Sequence, residues 1–272
     1  MLKEEIIKII GKRHIAGANL SDALKVCRME EGHNWGTIIS AWTYDDEDKV
    51  MVAAKNKEIL EVIVKEKLNS ALSFKPHAID YDMDLFKVMI QGLENYKIRI
   101  HIDSLFPETA EKSLEFFHTA KLLYDNIGYT LPSRWKRSLS DADVMISHNT
   151  PVRIVKGQWI DKSNPGINPR KSFIELVEKL ADRVPHIGIA THDIMLAKRV
   201  FEIAKRSSTE FELEQLFSLP QISGKLSRDF KIKVRIYVPY GTAYMPYSVN
   251  QMRVRPAILF WMLRDLLNIK KL

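Results

Sequence analysis

Eight strand-type segments alternate with helix-type segments along the 272 residues, and that rhythm predicts an α/β fold, a (β/α)8 barrel. Two further observations point the same way. The strand segments are short apolar runs such as Trp35–Trp42 and Val152–Gln158, as strands buried on both faces should be. No GxGxxG or P-loop motif follows any strand, which sets an open doubly wound sheet second. With no low-complexity segment, linker or repeat beyond the βα rhythm, residues 1–272 are expected to form one barrel domain, with residues 1–33 as a helical preface.

In chain order, Ser21-Asp22-Ala23-Leu24 begins a helix after the turn around Gly17, and Trp35–Trp42 is the first strand. Asp45 to Asp48 supply N-caps for a helix reaching about Leu68, with Val50, Ala53, Ala54, Ile59, Val62 and Ile63 expected on its apolar side. Ala71–Lys75 is the second strand and stops at Pro76. Tyr81–Glu94 reads as helix, Ile98–Ile102 as strand, and Pro107 opens a helix running to about Asp125. The pattern continues with strand Gly128–Leu131, helix Ser133–Ser147, strand Val152–Gln158 and helix Arg170–Arg183. Strand His186–Thr191 precedes a helix through Lys205. Strand Glu210–Glu214, a helix near Pro220–Asp229, strand Lys233–Val238 and a last helix Ser248–Leu267 complete the set.

Composition narrows the function classes. Apolar residues make up 46% and charged residues 28%, an ordinary globular balance. The formal net charge of +7 is dispersed, and basic and aromatic residues are not interleaved on one element, which argues against a nucleic-acid surface. Cys27 is the sole cysteine, so no disulfide forms within the chain and no Cys-based metal site is built. A cytoplasmic location is expected, with room for peripheral association at a membrane. The opening MLKEEIIKII reads as charged amphipathic helix rather than a signal peptide. No stretch approaches the ~18 apolar residues that a membrane span needs.

In a parallel barrel, residues at the C-terminal ends of the strands face one site. Those positions are Lys75, His101, Asp103, Arg134, Arg153, Lys156, Trp159, Thr191, His192, Asp193, Glu212, Glu214, Tyr237 and Tyr240. The set is rich in cations, hydrogen-bond donors and aromatics, and suits a large anionic ligand carrying a flat ring. Each member also has a structural reading. His101 and Asp103 could be a satisfied core pair, Glu212 and Glu214 could pair with Lys156 and Arg153, and the tyrosines could pack the barrel. A His/carboxylate metal site at His101, Asp103, His192 and Asp193 is disfavoured by the neighbouring cations, and no metal is assigned.

Three segments carry a resemblance: VRIVKG at Val152–Gly157, IATHD at Ile189–Asp193 and VRIYVPYGTAYMPY at Val234–Tyr247. Weaker support comes from Leu72–Lys75, Phe211–Leu213 and Arg13–Gly17. In this order they resemble the proline dehydrogenase family, over nearly the whole chain. The resemblance implies a (β/α)8 barrel holding FAD at the strand C-termini. It implies oxidation of L-proline to pyrroline-5-carboxylate by hydride transfer to flavin N5, with electrons passing to a membrane quinone. It places Arg153 at the flavin's reactive edge and Val155, Lys156 and Gly157 along the ring and phosphate tail. Thr191 and His192 would meet the adenine half, with Glu214 also on the cofactor side. Lys75, Asp103, Tyr237 and Tyr247 would belong to the substrate side.

The departures fall mostly on the substrate side. Asn250-Gln251 stand where the family has an Arg pair that grips the proline carboxylate. Each lost charge-assisted bond could forfeit about 1–2 kcal/mol. Arg253 could compensate from the next turn and Arg134 from its strand end, while Val254 replaces a carboxylate. The family's third-strand acid falls at His101 with Asp103 two residues on, Gln158-Trp159 replaces Ala-Tyr, and Leu131–Arg134 stands where a flavin-contacting Gln is expected. Three readings follow: a flavoenzyme acting on a C–N bond of proline or a related cyclic amine, a catalytically altered barrel that binds a ligand or partner, and, third, a metal-dependent lyase or hydrolase on the same fold. The oligomeric state is left open.

Overall fold

A computed structural model describes residues 15–217 and 223–243. Eight parallel strands close into a barrel in sequence order, β1 pairing with both β2 and β8. The strands are β1 (Gly36–Ala41), β2 (Ser70–Phe74), β3 (Ile100–Ile102), β4 (Ile127–Pro132), β5 (Val152–Val155), β6 (His186–Ala190), β7 (Glu210–Leu216) and β8 (Lys233–Tyr240). Helix α1 (Leu20–Gly32) precedes β1. The helices between strands are α2 (Lys49–Glu66), α3 (Met83–Ile90), α4 (Ala110–Leu123), α5 (Ser138–Ser147), α6 (Pro169–Leu180), α7 (Ile194–Ala204) and α8 (Ser223–Phe230). The (β/α)8 prediction therefore holds. The expected last helix Ser248–Leu267, the opening MLKEEIIKII and the departures at Asn250-Gln251 lie outside the described residues.

Local chemistry sets the element ends. Asp48 caps α2 by accepting from the Met51 amide at 2.9 Å, as the acidic cluster there predicts. The apolar face of α2 differs from expectation. Val52, Ala53, Asn56, Ile59, Leu60 and Ile63 are buried, whereas Val50 is exposed. Asn56 tolerates burial because its Nδ2 donates to the Val52 carbonyl at 2.8 Å. Helix α5 begins at Ser138 instead of Ser133, since Ser138 Oγ and the Trp135 amide are both tied to the Pro132 carbonyl in a turn. Strand β5 ends at Val155, short of Gln158, because Gly157 takes φ +81° and leaves the extended region. The layer between strands and helices is apolar and fully buried, with Ile39, Leu72, Ile100, Ile127, Ile154, Ile187 and Leu213 on the strands facing Leu60, Phe86, Phe117, Phe173 and Phe201 on the helices.

Candidate active site

The barrel axis is polar where strands usually pack aliphatic side chains against one another. Arg153 on β5 is its centre, 2% exposed. Its Nε donates to Glu214 Oε2 at 2.6 Å and its Nη1 to Asp103 Oδ1 at 2.8 Å. Asp103 also accepts from Thr130 Oγ1 at 2.8 Å and from Ser73 Oγ. Ser73 Oγ lies 3.1 Å from the Tyr237 hydroxyl, and the Arg153 guanidinium sits 5.5 Å from the Tyr237 ring centroid. Five strands thus fix one cation. Burial works against the Arg153 charge, but Glu214 and Asp103 outweigh it and hold the guanidinium more firmly protonated than a free one. A side chain at position 188 would collide with the Glu214 carboxylate, so Gly188 makes the room in which this acid sits.

Above Arg153, at the C-terminal ends of the strands, a cavity of about 1040 Å³ opens. Ligand sites usually measure roughly 300–1,000 Å³, so this one has room for a large cofactor or for a cofactor with substrate. Lys75, Asp103, Arg153, Val155, Gly157, Trp159, Thr191, His192, Glu214 and Tyr237 all line it, so ten of the residues singled out in the sequence share one space. Lys75 Nζ donates to Ser40 Oγ at 2.9 Å. His192 Nε2 accepts from the Leu216 amide at 3.0 Å, which fixes the ring beside the end of β7. Tyr247 lies outside the described residues.

Other expectations need correction. Lys156 does not pair with Glu212. It donates to Asp193 Oδ2 at 2.7 Å, an oxygen that also accepts from Arg170 Nε at 2.7 Å. Asp193 caps α7 through the Leu196 amide at 3.2 Å, and the Lys156 and Arg170 contacts help to hold its pKa down to about 2 against the opposing effect of burial. Glu212 sits one layer deeper, accepting from Arg235 Nε at 2.7 Å with His186 Nε2 at 3.3 Å. His101 is fully buried, and burial first, with Arg153 and Arg99 after it, drives its pKa well below the usual histidine value. Asp103, not His101, is the third-strand residue on the cavity. Tyr240 is 6% exposed and packs in the core.

Several lining residues escaped the sequence reading: Trp42, Tyr44, His77, Phe106, Trp135 and Gln215. Phe106 sits between Trp159, tilted at 5.5 Å between ring centroids, and His77, edge-to-face at 5.6 Å. Trp135 Nε1 donates to the Trp159 carbonyl at 3.0 Å and Asp161 accepts from the Lys136 amide at 3.0 Å, so the loops after β4 and β5 are strapped together. Loop residues of this kind carry no periodicity that would mark them. Ser73 and Thr130 were legible in principle, because they stand on strands two and four in register with His101 and Arg153.

The fold and this rim define a (β/α)8 barrel with a large, polar-floored cavity at the C-terminal ends of its strands. Comparison with known proteins narrows the class. No protein-family model matches the chain. Proline dehydrogenase 1 of Bacillus subtilis strain 168 is 22% identical over 273 residues, covering 94% of this chain and 90% of that protein. Proline dehydrogenase 2 of the same organism is 25% identical over 215 residues, covering 74% of this chain. Proline utilization A from Corynebacterium freiburgense superposes with a TM-score of 0.75 at 13% identity over 97% of this chain, and that from Bdellovibrio bacteriovorus with 0.74 at 16% over 89%. The chain spans about a third of those two structures, and they show the shared barrel. Both curated relatives carry the name of the family that the three sequence segments resemble.

Proposed function

We propose that the chain is a flavin-dependent oxidoreductase that oxidises the CH–NH bond of proline or a related cyclic amine. The observation that carries this reading is the buried Arg153, aimed into a cavity of flavin size, in a chain similar to proline dehydrogenases from end to end. The residues present fit FAD. Among the described residues, Arg153 Nη2, Trp159 Nε1 and Gln215 Oε1 are buried without a hydrogen-bond partner, as expected of groups kept for a ligand. Gly157, with φ +81°, keeps side-chain atoms away from the backbone there. Its missing Cβ would sit 2.9 Å from Pro132 Cβ.

Bound FAD would supply a hydride acceptor at N5. Arg153 would present a fixed positive charge where negative charge grows on the ring, and Glu214 and Asp103 hold that charge in place without reorganisation. Val155 and Gly157 would line the ring, while Thr191 and His192 would meet the adenosine. Lys156, turned to Asp193, would reach the phosphates only by sharing that contact. On the substrate side Lys75 would meet a carboxylate, and Tyr237 and Tyr247 would wall the pocket and orient the donor carbon. Phe106, His77 and Trp159 make that side strongly aromatic, which fits a cyclic amine. We infer a cytoplasmic protein that passes electrons to a quinone at the membrane surface; no described helix is long and apolar enough to cross a membrane.

The spectrum of the purified protein tests the reading. Flavin absorption, bleached by L-proline or a cyclic analogue in the absence of an acceptor dye and restored by the dye, is the expected result. A colourless protein that FAD cannot reconstitute would instead support the altered, ligand-binding barrel suggested by Asn250-Gln251.

A further inference from the structure

The opposite end of the barrel, where strands begin, ordinarily contributes stability and not ligand binding. Here it holds a second cavity, of about 660 Å³, whose charged lining consists of Lys67, Lys97, Arg99, His186, Glu210 and Arg235. Three of these converge on Glu212 behind them. Arg235 Nε lies at 2.7 Å from Oε2, His186 Nε2 at 3.3 Å and Arg99 Nη1 at 3.7 Å. Arg235 uses the rest of its guanidinium on the Thr37 carbonyl at 2.9 Å, the Asn69 carbonyl at 3.2 Å and Asn69 Oδ1 at 3.3 Å.

Arg99 is placed differently. Its ion pair with Glu212 is long, and its hydrogen-bond contacts are with the His186 ring nitrogens, at 3.2 and 3.1 Å, all through Nη1. A guanidinium carries five N–H donors, so most of this fork remains for a ligand. The Arg99 side chain is 19% exposed, buried enough for a strong bond and open enough to meet the cavity. The charge is unbalanced. Four Lys and Arg side chains face Glu210 and Glu212, and Glu210 is already held by Lys233 at 2.7 Å. Burial and the like charge of Arg235 pull the Arg99 pKa below its ordinary value, a tension that an anion would relieve.

We propose that this N-terminal mouth is a binding site for a phosphate-bearing anion, with Arg99 as its bidentate ligand and Lys97 and Lys67 at its entrance. Guanidinium geometry matches two phosphate oxygens, and the exposed lysines add attraction without fixing orientation. Tyr96 stands on the rim, 46% exposed, where a base attached to the phosphate would stack. The source is therefore either free phosphate or a nucleotide.

The test is isothermal titration of the full, FAD-loaded chain with orthophosphate and with adenosine monophosphate, in chloride buffer at constant ionic strength. Saturable binding of orthophosphate is expected, weakened roughly tenfold or more by Arg99→Gln. Tighter binding of the nucleotide identifies a nucleotide site, and equal binding identifies phosphate itself. Lys97→Glu, at an exposed position, should weaken both several-fold and keeps the test available if the Arg99 variant does not fold. No saturable heat, or affinities that survive both substitutions, would overturn the proposal.

Discussion

Replacing Arg153 by Met is the most informative single perturbation of this barrel. The side chain is 2% exposed and bridges Asp103 and Glu214 at 2.8 and 2.6 Å. Methionine fills much of its volume but strands two carboxylates. Asp103 retains Ser73 and Thr130, so most of the penalty falls on Glu214, itself 2% exposed. Removing one partner of a buried ion pair typically destabilises by about 3–5 kcal/mol. At roughly 2–4 °C per kcal/mol for domains near this size, the melting temperature should fall by about 6–20 °C. Thermal denaturation followed by circular dichroism measures it, and flavin content measured alongside should fall as well. Adding Glu214→Leu should restore a large part of the loss, because the stranded charge is gone. A single variant that costs under about 1 kcal/mol, or a double variant no more stable than the single, would refute the view that Arg153 and Glu214 balance each other.

Gly157→Ala places a Cβ at φ +81°, and 2.9 Å from Pro132 Cβ; it should destabilise by about 1–2 kcal/mol and reduce flavin retention on gel filtration, whereas Gly166→Ala, with open space around it, should do neither. Burial, with Lys75 after it, lowers the His77 pKa from 6.5 to about 4. Between those values the unfolded chain binds a proton that the folded one does not, so stability should fall as pH drops from 6.5 to about 4, and His77→Gln should flatten that part of a melting-temperature profile.

The order of the barrel was legible because its signals are local. Most strands are short runs rich in apolar residues, the helices at Lys49, Pro169 and Ile194 start on a capping Asp or Asn, and Cβ alternation assigns which strand residues share a face. The segments VRIVKG and VRIYVPYG therefore pointed to one end of the barrel, and Lys75, Asp103, Arg153 and Tyr237 do line one cavity. What the sequence could not fix was pairing. Lys156 and Arg153 are three residues apart, yet one meets Asp193 and the other Glu214 and Asp103, because β5 ends between them. Glu212 and Glu214 likewise share a face of β7 but serve opposite ends of the axis.

The sequence by itself determined the fold class, the strand order and the family likeness, since these depend on periodicity and on residues adjacent in the chain. Only the tertiary structure decided which charges neutralise each other, which loops are strapped over the cavity and that a second, cationic hollow lies at the far mouth. Those depend on strand register and barrel closure, which bring Arg99, His186, Glu212 and Arg235 together from four strands and their entrances.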